Sequence, residues 1–182
     1  MRPFVSLLPL LMIAFLLLPS CVQSTAPPPA AADILTVMQT AMADTAQPLP
    51  DGLTYTRTAP PSDPAYLTDT LFSALYGEAA RGLLAGDDTN GTVPAVGDVA
   101  MFLSIAPYPC ELAVFRCSDI RTASTVAGLC RGRLDTVARG YAGSEWEAVA
   151  ARGRVAVEGC YVFLVIAEDP GAVLERGRGM VE

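Results

Sequence analysis

The chain has 182 residues with 19 acidic and 12 basic side chains, a formal net charge of −7 and no histidine; all 12 basic residues are arginine. Without histidine there is no Ser-His-Asp or Cys-His pair, no imidazole metal ligand and no imidazole proton shuttle. Without lysine there is no Schiff base, pyridoxal attachment or P-loop lysine, so no cofactor is expected, and the acidic balance argues against nucleic acid as a partner.

Met1 and Arg2 precede Phe4 to Leu18, an almost unbroken apolar run. At ~15 residues it is shorter than the ~20 a spanning helix needs, and it has the layout of a secretory signal. Leu18-Pro19-Ser20-Cys21 closes the run and resembles the lipobox of bacterial lipoproteins. The resemblance implies a lipoprotein signal peptide over residues 1–20 and a diacylglycerol, with palmitate among its acyl chains, on the Cys21 thiol. Each buried methylene of such an anchor contributes about 0.8 kcal/mol, so two chains hold a protein on a bilayer surface. The expected location is the extracytoplasmic face of the cell membrane. Loss of the leader leaves 11 arginines against 19 acids, and enough chain for one small domain.

Val22 to Ala32 carries three consecutive prolines and reads as an extended tether, so residues 21–32 are lipidated cysteine plus spacer and residues 33–182 the domain. Asp33 is expected to cap a helix over Ile34 to Ala46, where Ile34, Val37, Met38, Ala41 and Met42 recur at helical spacing. Gln47 to Pro64 reads as a long loop. A second helix is expected over Ala65 to Tyr76, stopped by Gly77. Gly82 to Gly97 returns to loop character. Within it, Asp87 to Gly91 keeps the alternation of a calcium loop only at Asp88 and Asn90, and reads as a solvated turn.

Asp98 to Ile105 and Glu111 to Arg116 read as strands of a hairpin, separated by the two prolines of Ala106 to Cys110. Ser118 or Asp119 caps a longer helix to about Tyr141, with Ile120, Ala123, Val126, Ala127, Cys130, Leu134, Val137 and Tyr141 as its buried stripe. Ser144 to Glu147 has the pattern of a capping box opening a short helix. Arg154 to Val157 and Cys160 to Ala167 flank a tight turn at Glu158-Gly159, and the second run, apolar at nearly every position, has the character of a central strand. Asp169-Pro170 starts a last short helix. The expectation is an α+β domain in which two β-hairpins form a small mixed or antiparallel sheet packed against helices.

The order of these motifs resembles that of the bacterial lipoproteins of domain-of-unknown-function family 4358. The resemblance rests on the lipobox and tether, then Leu75-Tyr76-Gly77, then Cys110 to Asp119 (CELAVFRCSD). Arg133 to Asp135 (RLD) and Val157 to Pro170 (VEGCYVFLVIAEDP) complete it. It covers roughly Ile34 to Leu174, and the four domain cysteines lie outside the family's pattern. It implies location and fold rather than an activity. With them comes an accessory part among envelope proteins or in modifying cell-surface polymers.

The domain cysteines Cys110, Cys117, Cys130 and Cys160 are even in number and, on the leader reading, extracytoplasmic, which is the usual setting for disulfides. Cys110 and Cys160 each open a strand and are the favoured pair; Cys117 to Cys130 spans too much helix. The spacing makes a poor zinc site, and no metal is expected. Glu111 lies between a cysteine and an apolar strand. It is a candidate for a cleft carboxylate paired with Arg133 or Arg116, with Tyr76 or Tyr161 supplying a hydroxyl; the competing reading is a structural salt bridge or core-edge tyrosines. The function this supports is a membrane-anchored, non-enzymatic accessory or binding module of the envelope. The alternative is a hydrolase acting on envelope glycans with two acids ~5–10 Å apart.

Overall fold

The computed structural model describes residues 27–44, 49–85 and 95–182; the leader with Cys21 and the Asp87 to Gly91 turn lie outside them. In chain order the elements are α1 (Ala31–Asp44), β1 (Gly52–Thr56), α2 (Asp69–Tyr76), β2 (Val96–Ser104), β3 (Glu111–Cys117), α3 (Ile120–Gly140), α4 (Glu147–Ala150), β4 (Arg154–Glu158), β5 (Tyr161–Ile166) and α5 (Pro170–Arg178). A 3-10 turn at Glu78–Ala80 follows α2. The strands form one antiparallel sheet in the order β1-β2-β3-β5-β4, so the fold is α+β with the two expected hairpins side by side. No helix among the described residues is long and apolar enough to cross a membrane.

Alternation along the central strands sends side chains into two helical layers. Val162, Leu164 and Ile166 of β5 pack with Val126, Cys130 and Val137 of α3 and with Phe72 of α2. Phe163, Val165 and Ala167 pack on the other face with Ile34 and Met38 of α1 and Val173 of α5. All six residues of β5 are buried, and the strand lies between β3 and β4, as its unbroken apolar run requires.

Helix α1 begins at Ala31, so it takes in two residues read as tether, and Asp33 lies inside its first turn rather than capping it. The N-terminus is held instead by Asp98 of β2, whose Oδ2 accepts the Ala31 N–H at 2.8 Å. The stretch read as a loop over Gln47 to Pro64 contains β1, an edge strand whose Leu53 and Thr54 face solvent and whose pattern therefore lacks an apolar alternation. It pairs with β2 from Gly52↔Ser104 to Thr56↔Ala100. A Cβ on Gly52 would run into the Phe102 ring and the Leu103 carbonyl, so the strand enters this contact as glycine. Helix α2 starts at Asp69, not Ala65, because Tyr66 bridges to Thr56 and the Leu67 N–H donates to the Thr56 carbonyl, holding this stretch against β1. Thr68 then caps it, accepting the Leu71 N–H.

Asp119 caps α3, accepting the Thr122 N–H at 2.8 Å. Its buried stripe holds Ala123, Val126, Ala127, Cys130 and Val137; Ile120, expected in that stripe, is exposed at the helix start. The Ser144 motif is shifted from a capping box: Ser144 Oγ accepts the Trp146 N–H, and the Glu147 carboxylate reaches back to Gly143 N–H. Asp169 caps α5 through the Ala172 N–H, with Pro170 at the first helical position.

Candidate functional site

Strand β3 decides which charges can meet. Ala113, Phe115 and Cys117 belong to the α2–α3 layer and Leu112 and Val114 to the α1–α5 layer, so Glu111 and Arg116, five residues apart, point to opposite sides. Of the two partners proposed for Glu111, Arg133 is therefore the one that reaches it.

Glu111 is 3% exposed. Its Oε2 accepts a hydrogen bond from Arg133 Nε at 2.9 Å and has Arg133 Nη2 at the same distance in an ion pair, and its Oε1 accepts the Tyr76 hydroxyl at 3.0 Å. Three distant segments supply the cluster. Tyr76 is the last residue of α2, where Gly77 at φ 90° ends the helix, and its ring meets Phe72 at 5.0 Å and Phe115 edge-on at 5.6 Å. Arg133 follows Cys130 by three residues and so lies beside the buried stripe of α3, over the start of β3. A buried carboxylate is tolerated only when its charge is paired and its lone pairs are used, and both conditions hold here.

Glu111 and Arg133 of the cluster line a pocket of about 170 Å³, together with Ser104, Tyr108, Cys110 and Tyr141. Tyr108 stands edge-on to Trp146 at 5.0 Å. Among the described residues Glu111 is the one carboxylate lining the pocket, beside the guanidinium of Arg133. The pocket thus offers guanidinium and phenol donors and aromatic surface to a small polar group.

Burial first, and the Glu111 charge second, push the Tyr76 hydroxyl well above its ordinary range, so it stays a proton donor. The same two causes push the Cys110 thiol up to about 12 and raise that of Cys130 as well. Neither is a thiolate near neutral pH, so neither has the activated thiolate of a catalytic cysteine.

Tyr161, read as a second hydroxyl for this site, does not join it. It lies on the α1–α5 side, donates its hydroxyl proton to the Pro29 carbonyl at 2.7 Å and packs on Phe163. There it accompanies a cluster the sequence reading missed. Asp98, 4% exposed, holds Ala31 N–H and has Arg116 Nη2 at 3.8 Å, while its Oδ1 is buried without a hydrogen-bond partner. The available signal was a carboxylate opening an otherwise apolar strand. Its alternation with Ala100 and Phe102 assigns it to the side opposite Glu111.

The Cys110–Cys160 pair is also overturned. β3 and β5 are antiparallel, pairing Glu111 with Ile166 and Arg116 with Tyr161, so Cys110 and Cys160 stand at opposite ends of the ladder. Six residues of strand separate those ends by ~20 Å, and all four domain thiols are free. Among the described residues no three His, Cys, Asp or Glu side chains are grouped to hold a metal ion. Set against protein-family models, curated proteins and solved structures, the chain matches none.

Proposed function

We propose that the protein is a lipid-anchored lipoprotein of the extracytoplasmic face, a non-enzymatic accessory or binding module that holds a small polar group in the pocket beside Glu111. The observation carrying the binding reading is the state of Glu111. Hydrolysis by paired acids needs one free carboxylate base and one protonated acid, ~5–10 Å apart. The pocket wall has one carboxylate, and Arg133 and Tyr76 occupy both of its oxygens. Anchoring rests on the lipobox-like Leu18 to Cys21, and the exposed Pro27 and Pro28 ahead of α1 suit a spacer leading away from the domain. The motif order shared with the lipoproteins of family 4358 belongs to the same reading.

The test expresses the full chain in a bacterium fed labelled palmitate. The wild type should carry label and sediment with membranes, and Cys21→Ala should lose both. Unchanged processing and membrane fractionation of Cys21→Ala would remove the anchor. Turnover of an envelope polysaccharide by the purified chain, lost in Glu111→Gln, would replace the binding module with a hydrolase.

A further inference from the structure

We propose that Cys117 and Cys160 form a disulfide site: two thiols set opposite each other across the β3–β5 ladder, which join when a disulfide oxidant reaches Cys160. The register places them together. Arg116 pairs with Tyr161, the next pair outward is Cys117 with Cys160, and the Cys117 N–H donates to the Cys160 carbonyl at 2.8 Å. Directly opposed residues joined this way have Cα atoms ~5.5 Å apart, inside the span a disulfide bridges. Cys117 lies in the α2–α3 layer with Phe115, and the strand alternation that puts Val162 there, extended one step back through Cys160, directs its side chain to the same side. Gly159 at φ 55° turns the chain just before Cys160. Burial, then the nearby Cys160, raise the Cys117 thiol to about 12, so the two sulfurs sense each other.

Exposure sets the order of events. Cys117 is buried and Cys160 half-buried, so solvent reaches Cys160 first. The Cys160 thiol loses its proton and its sulfur attacks the oxidant's S–S bond, expelling one thiolate and leaving a mixed disulfide. Cys117 then gives up its proton and attacks the Cys160 sulfur, expelling the second thiolate. Two cysteine thiols are oxidised, and one disulfide is reduced to two thiols. The product closes a loop of roughly 40 residues holding α3, α4 and β4. The site goes beyond the proposed function and stands whether or not Cys21 is lipidated.

The purified full chain is treated with oxidised glutathione, digested without reduction and mapped by mass spectrometry at all five cysteines. The expected product is a Cys117–Cys160 cross-linked peptide about 2 Da lighter than its two reduced parts, with a melting temperature raised by about 5–15 °C in the intact protein. Cys117→Ala should stop at a glutathione adduct on Cys160, and Cys130→Ala should still form the bridge. Four thiols left free, a glutathione adduct that persists on Cys160 in the wild type, or a Cys117–Cys130 bridge would each overturn the proposal. The wild-type map decides the matter if a variant fails to fold.

Discussion

Glu111 and Asp98 are carboxylates buried on opposite faces of one sheet, and they are satisfied to different degrees. Glu111 has a guanidinium on one oxygen and a phenol on the other, drawn from α3 and α2. Asp98 uses one oxygen to hold the first N–H of α1, has its arginine at 3.8 Å, and leaves the other oxygen without a partner. The first is a closed network that pins two helices to the start of β3. The second is a clamp on one helix end, where the positive end of the helix dipole supplies part of the missing compensation. An orphaned buried oxygen costs about 1–3 kcal/mol, so the Asp98 side is the weaker seam, and it lies where the chain enters the domain.

Removing the arginine from the closed network should have the largest effect. Arg133→Met leaves Glu111 charged and buried without its cation, and the expected loss is ~3–5 kcal/mol in denaturant unfolding. Glu111→Leu combined with Arg133→Met removes both charges and should return most of that loss. If the single variant unfolds within about 1 kcal/mol of the wild type, the pair is a solvated salt bridge and the contrast with Asp98 disappears.

The strand both seams flank gives the next test. Leu164→Ala empties space on the α3 face of β5, where the residue is fully buried, and should cost ~2–5 kcal/mol. Arg139→Ala, on the exposed side of α3, should change little. Equal and small melting shifts for the two would mean the core has been misplaced.

Periodicity made the core legible because β5 and α3 bury what their own residues specify. Six apolar residues in a row need cover on both faces, and Ala123 to Val137 repeat at helical spacing. What stayed hidden depends on partners remote in sequence. Strand β1 has no buried face of its own and exists by pairing with β2, and α1 takes its N-terminal acceptor from a residue 67 positions away. The Glu111–Arg133–Tyr76 cluster was half legible: the residue types suggested it, but the choice of Arg133 over Arg116 needed the pleat. The cysteine pairing failed for a related reason. Opening two strands says nothing of whether those strands run parallel, and the antiparallel β3–β5 pair put Cys160 beside Cys117 instead.

On the weaker seam, Asp98→Ala should cost ~1–2 kcal/mol, the scale of losing a helix-end acceptor. The loss should be local. Hydrogen exchange should speed up at the first-turn amides of α1 while the amides of β5 keep their protection. Equal acceleration throughout the sheet would mean that Asp98 carries as much of the fold as Glu111.

The smallest effect at neutral pH, growing only in alkali, separates the two carboxylates by their influence on neighbours. The Cys110 thiol ordinarily titrates at 9.0; in the folded protein burial, then the charge of adjacent Glu111, push it up to about 12. Below pH 9 the thiol is protonated in both states and its contribution is fully present. Between pH 9 and about 12 the unfolded chain gives up this proton while the folded chain keeps it, so stability falls as pH rises. Cys110→Ala removes that dependence, and the wild type should lose stability relative to it from pH 9 upward in urea unfolding. Tyr76, Cys117 and Cys130 are raised too, but they are common to both proteins and cancel in the difference. Asp98→Asn, at the other end of the β2–β3 ladder, should leave the wild-type slope intact, whereas Glu111→Gln should make it shallower. Parallel curves for the wild type and Cys110→Ala up to pH 10.5 would mean that burial in the α1–α5 layer and the nearby Glu111 charge do not keep this thiol protonated.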